Sequence, residues 1–106
     1  MIQVNELRIG NTTNKGAIVS FYEHGIHVGY GKCYDFQELE PIPLTEEILL
    51  KCGFEESQYH FCIGDFIIRK PDFVLCDIGI KVNPINLHQL QNLYFALTGK
   101  ELKIKL

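Results

Sequence analysis

Ala17-Ile18-Val19-Ser20-Phe21-Tyr22-Glu23-His24-Gly25-Ile26-His27-Val28-Gly29-Tyr30 is the stretch whose pattern decides the fold. Ala17, Val19 and Phe21 alternate with Ile18, Ser20 and Tyr22, and a period of two marks a strand with one buried face. Beyond Glu23-His24-Gly25 the alternation resumes, with Ile26, Val28 and Tyr30 on one side and His27 and Gly29 on the other. Two such runs around a short glycine-containing connection read as a β-hairpin. Connections this short cannot carry a parallel crossover, so the sheet is antiparallel.

Working outward, residues 6–12 read as a preceding strand, turned by Asn14, Lys15 and Gly16, and 34–42 as a following extended segment after a Gly31-Lys32 turn. Pro41 and Pro43, which cannot donate to a ladder, end it. Residues 45–53 predict a short helix: Thr45 as N-cap, Glu46 and Glu47 in the positively polarised first turn, Gly53 as the stop. Strand character returns over 59–63, 66–69, 73–77 and 79–82, with turn residues between. A last helix over 87–97 places Leu87, Leu90, Tyr94 and Leu97 at steps of three and four, and Gly99 stops it. Its other side shows His88, Gln89, Gln91 and Asn92, flanked by Phe95, a surface that reads as open to a partner. The expected architecture is a single α+β domain over 1–106: a strongly bent antiparallel sheet or small SH3-like barrel with one inserted short helix and a C-terminal helix.

The chain has 106 residues, enough for one core and too few for two domains. Ten basic against 13 acidic residues give a net charge of -3, which argues against non-specific gripping of a phosphate backbone, so nucleic acid is not expected as a partner. The first residues, MIQVNELRIG, show no basic stretch followed by a long apolar run, so a cytoplasmic protein without a membrane partner is expected. Cys33, Cys52, Cys62 and Cys76 form no CxxC pair and sit among apolar neighbours, which reads as reduced, buried thiols. No metal and no cofactor is expected, since His24 and His27 are an odd number apart and face opposite sides of a regular strand. Cys62 and His60 share a strand face, but Cys62 lies between Phe61 and Ile63 and reads as packing. Gly31-Lys32-Cys33 lacks the remaining residues of a phosphate-binding loop.

Three stretches carry a resemblance: Glu6-Leu7-Arg8-Ile9-Gly10-Asn11, the run PIPLTEEILLKCGF over 41–54, and HQLQNLYFALTG over 88–99. In order and spacing the chain resembles a family of small uncharacterised proteins of gut anaerobes and their phages. The resemblance implies a phage or mobile-element origin, hence the cytoplasm of a host cell, and it carries no active site with it.

Ligand chemistry is read from side chains clustered at turns. Tyr22, His24, His27, Tyr30 and Tyr34, with Lys32 adjacent, offer rings that can stack on a nucleobase and a cation for phosphate. Tyr59, His60, Arg69 and Lys70 form a second set. The expected ligand-binding residues are Tyr22, His24, His27, Tyr30, Lys32, Arg69 and Lys70. The expected function is non-enzymatic: a phage-type protein that sequesters a small nucleotide-derived immune signal, at the interface of a homo-oligomer because so small a chain encloses such a ligand most easily between copies. The alternatives are a module that binds a host protein through a strand edge or the C-terminal helix, and a nucleotide-cleaving enzyme using His24, His27 or His60 as acid and base.

Overall fold

A computed structural model of the chain describes residues 4–29, 31–70, 74–75 and 86–105. Among the described residues nine short strands and two α-helices follow one another in the order β1 (Thr12–Thr13), β2 (Gly16–Ala17), β3 (Ser20–Tyr22), β4 (Gly25–Val28), β5 (Lys32–Asp35), α1 (Glu46–Lys51), β6 (Glu55–Glu56), β7 (His60–Ile63), β8 (Phe66–Arg69), β9 (Val74–Leu75) and α2 (Leu87–Thr98). Every strand pairs antiparallel with its sequence neighbour, in three sheets ordered β1-β2, β3-β4-β5 and β6-β7-β8-β9. The fold is therefore α+β. The strands among the described residues close no barrel.

The first two sheets form one bent ribbon. Ile18 donates its N–H to Asn11 O at 2.9 Å and accepts from Gly10 N at 2.9 Å, while Val19 N–H turns the other way to His27 O at 2.9 Å. The chain thus changes partner between Ile18 and Val19, which sends Ile18 into the core and leaves Val19 about half exposed, at 53%.

Two segments expected as strands are not. Residues 6–12 start as a single 3-10 turn, Val4–Glu6, and become strand only at Thr12. The reason is local: Asn11 Oδ1 accepts from Arg8 N at 2.7 Å and Asn11 N donates to Arg8 O at 3.0 Å, a side-chain turn that outcompetes the extended form. Residues 34–42 likewise stop being strand after Asp35, whose N–H donates to the Glu38 carboxylate at 2.8 Å and opens a 3-10 turn over Phe36–Glu38. That turn buries Leu39. The expected strand over 79–82 lies outside the described residues, and of 73–77 only β9 is described, paired with β8.

Both helices follow their sequence signals. Thr45 Oγ1 accepts from Ile48 N at 3.2 Å to cap α1. At the start of α2, Gln89 Oε1 accepts from Asn86 N at 3.0 Å. Gly99, at φ 73°, ends α2 by donating to Phe95 O at 2.8 Å, a left-handed turn that a β-carbon would strain.

Burial divides into two clusters. Ile18, Ile26, Val28 and Leu39 fill one, under the bent ribbon. Leu44, Leu49, Phe54, Phe61, Phe66, Ile68, Leu87, Leu90 and Leu102 are among those filling the other, between β6–β8, α1 and α2. Helix α2 belongs to the second cluster through its leucines and meets the N-terminal segment with its polar side.

That polar side is not the open surface its composition suggests. Gln91 and His88 are each only 1% exposed. Gln91 bonds to Thr12 and to Leu102 O at 3.0 Å; Asn92 Oδ1 accepts from Arg8 Nε at 3.1 Å and Asn11 Nδ2 at 2.8 Å, and its Nδ2 donates to Glu6 O at 2.6 Å. Arg8 also pairs with Glu101 and lies 4.3 Å over the Phe95 ring. A polar layer joins the helix to the ribbon; its amides are satisfied within the chain, whereas His88 Nε2 is buried without a hydrogen-bond partner, 3.7 Å from the Glu6 carboxylate. Of the side chains expected to await a partner, Gln89, Gln91 and Asn92 find one within the chain.

Candidate functional site

The strand register sorts the three-stranded sheet into two faces. Phe21, Ile26 and Tyr34 stand in one cross-strand row, and Val28 is opposite Lys32 on the same side; Ile26 and Val28 are buried. The opposite, outer face carries the row Ser20, His27, Cys33 and beside it the row Tyr22, Gly25, Asp35.

These outer residues are mutually held. Ser20 Oγ lies 2.9 Å from His27 Nδ1, and the Tyr22 and His27 rings meet at 5.1 Å between centroids with a 43° tilt. Tyr22 reaches across the central strand to donate its hydroxyl to Asp35 Oδ1 at 3.0 Å. It crosses at Gly25, where an added β-carbon would stand 1.9 Å from Tyr34 O, so only glycine fits between its neighbours. Partial burial, the hydrogen bond to Asp35 and that carboxylate's charge together push the Tyr22 phenol up to about 12.

Of the residues read from sequence, the structure brings Tyr22 and His27 together. His24 sits exposed at the hairpin tip, with Nε2 3.9 Å from the Glu23 carboxylate. Lys32 is exposed at the start of β5, on the side of Val28 and not of His27. Arg69 and Lys70 belong to the other sheet: Arg69 stands opposite His60, and Lys70 pairs with Glu56 and lies 4.6 Å over the Phe61 ring. Tyr30 is outside the described residues. Ser20, Cys33 and Asp35 were missed, although strand alternation through Tyr22, Gly25 and His27 places them on that face.

The cysteines divide by environment. Cys52 is buried, and burial pushes its thiol up to about 11. Cys33 is exposed and Cys62 half-buried, against the expectation of uniformly buried thiols; Cys33 stands on the outer row of β5 beside His27, away from buried Ile26 and Val28. Cys76 lies outside the described residues.

The outer face offers two adjacent rings, a hydroxyl, an imidazole and a carboxylate in fixed geometry. The β4 backbone N–H groups are spent in the ladders on both sides, so the central strand presents no free pair of them to a developing oxyanion. No group of three or more metal-ligating side chains occurs among the described residues. No helix among them is long and apolar enough to cross a membrane.

No family model, no curated protein and no solved structure matches this chain.

Proposed function

We propose that this is a non-enzymatic binding protein that takes a small nucleotide-derived ligand on the outer face of β3–β5 and withholds it. The observation that carries this reading is the Tyr22–His27 ring pair, flanked by the Ser20 and Asp35 hydrogen-bonding groups on one face of the sheet. Stacking supplies affinity for a planar base, and the fixed polar groups supply orientation. His24, exposed at the hairpin tip of the same sheet, offers positive charge to a phosphate when protonated. A flat sheet covers one side of such a ligand, so the other side is supplied by a second copy of the chain in a symmetric homo-oligomer. The likeness of three stretches to proteins of gut anaerobes and their phages supports sequestration of an immune signal as the purpose, inside a host cell's cytoplasm.

Calorimetry against cyclic nucleotides and ADP-ribose derivatives tests this. Binding is expected for at least one, and Tyr22→Ala and His27→Ala each weaken it by about 1–3 kcal/mol, roughly 5- to 150-fold in Kd. Heat denaturation of the complex then returns the ligand intact, whereas the cleaving alternative returns product. Folded protein that binds nothing in the panel overturns the proposal.

A further inference from the structure

A second concave surface lies away from the outer sheet face. Ile9, Ala17, Ile18, Val19 and Ile104 wall an open groove of about 480 Å³, with Gly10, Thr12 and Gln91 beneath and Glu101 and Lys103 beside it. Its size falls in the range of roughly 300–1,000 Å³ that small-molecule sites occupy. Ile9 and Val19 are 56% and 53% exposed, which is costly for large aliphatic side chains facing the same space.

The polar groups of the groove are unequally committed. Gln91 spends its amide on Thr12 and Leu102. Glu101 is tied to Arg8 and packs on Gly10, where a β-carbon would come within 3.0 Å of its Oε2. That ion pair cancels. Lys103 has no ion-pair partner among the described residues, so the groove carries one uncompensated positive charge beside an apolar wall.

From this complementarity we infer that the groove binds a free organic monocarboxylate with an apolar body, its chain lying along Ile9, Ala17, Val19 and Ile104 and its carboxylate at Lys103. The site is independent of the ring pair on β3 and β4, and neither proposal requires the other.

Decanoate and decan-1-ol, titrated separately into isotopically labelled protein, test it. Decanoate is expected to shift the methyl resonances of Ile9, Ala17, Val19 and Ile104 and to bind at least about tenfold more tightly than the alcohol, the scale of one charge-assisted contact. Lys103→Gln removes that difference, and Lys103→Arg keeps it. Val19→Glu, at an exposed position that leaves the melting temperature unchanged, abolishes binding of both, while Tyr22→Ala leaves both intact. Equal affinity for acid and alcohol, shifts confined to other residues, or the same methyl shifts produced by raising protein concentration alone would each overturn the inference, the last by making a second copy the occupant.

Discussion

Gln91 and Thr12 hold each other by reciprocal hydrogen bonds. Gln91 Oε1 accepts from Thr12 N at 2.8 Å, and Gln91 Nε2 donates to Thr12 Oγ1 at 3.0 Å. Both residues are buried, and they join α2 to the first strand of the bent ribbon.

Replacing Gln91 with leucine therefore leaves Thr12 N–H and Leu102 O buried without partners. Each such group costs about 1–3 kcal/mol, so Gln91→Leu is expected to destabilise the protein by roughly 2–6 kcal/mol despite adding an apolar side chain. Urea unfolding measures this. A neutral or stabilising result would mean that the polar layer does not hold the two clusters together.

Gly25 is irreplaceable for a different reason. A β-carbon there would stand 1.9 Å from Tyr34 O and 2.8 Å from Asp35 Cα, both backbone atoms that cannot step aside. Gly25→Ala is expected to cost about 3 kcal/mol or more and to break the Tyr22–Asp35 hydrogen bond. Gly29→Ala is the control: nothing lies within 4 Å of its β-carbon position, and stability should change by no more than about 0.5 kcal/mol.

The Tyr22 phenol provides a spectroscopic reading of the candidate site. With Asp35 accepting its proton, it titrates at about 12. Asp35→Asn removes the carboxylate's charge and should bring the titration part of the way back toward 10, the remainder coming first from burial and then from Cys33 and Glu38 nearby. Ring carbon shifts followed against pH detect this. An unchanged titration would show that the two side chains do not meet in solution.

His88 sets a pH dependence on folding. Burial holds it below the usual histidine value of 6.5, and the Glu6 carboxylate, 3.7 Å from Nε2, offsets only part of that. Below the unfolded value the unfolded chain takes up a proton that the folded chain refuses, so stability falls with falling pH until the folded value is reached and is constant above the unfolded one. The urea midpoint should therefore drop as the pH falls through the ordinary histidine value of about 6.5. His88→Gln, which cannot titrate, should flatten this slope.

Much of the fold was legible because its signals are local. Alternation through 17–28 marks the hairpin, and Thr45, Gly53 and Gly99 mark helix ends through bonds made within a few residues. The failures were also local in origin but hidden in side-chain competition: Asn11 turning back on Arg8, and Glu38 capturing Asp35 N–H, each diverted a chain that reads as strand.

The candidate site was partly legible for the same reason. Tyr22 and His27 stand out by residue type, and their register brings them together. Arg69 and Lys70 stand out equally, yet they belong to another sheet, where Glu56 takes up the Lys70 charge. Residue type shows what a side chain can do, and sheet topology decides which others it can do it with.

Two stretches far apart in the sequence, 6–11 and 88–99, meet in space. Glu6, Arg8 and Asn11 of the first bond with Gln89 and Asn92 of the last. Their structural task is the polar layer between the ribbon and α2. Sequence by itself determined the order of hairpin, helix, hairpin and helix, because alternation, capping and turn chemistry act between near neighbours. Tertiary structure alone decided that the polar side of α2 is an internal joint and that Tyr22, His27 and Asp35 meet on one face of β3–β5. Whether a glutamine is surface or mortar depends on the partner brought to it from 79 positions away.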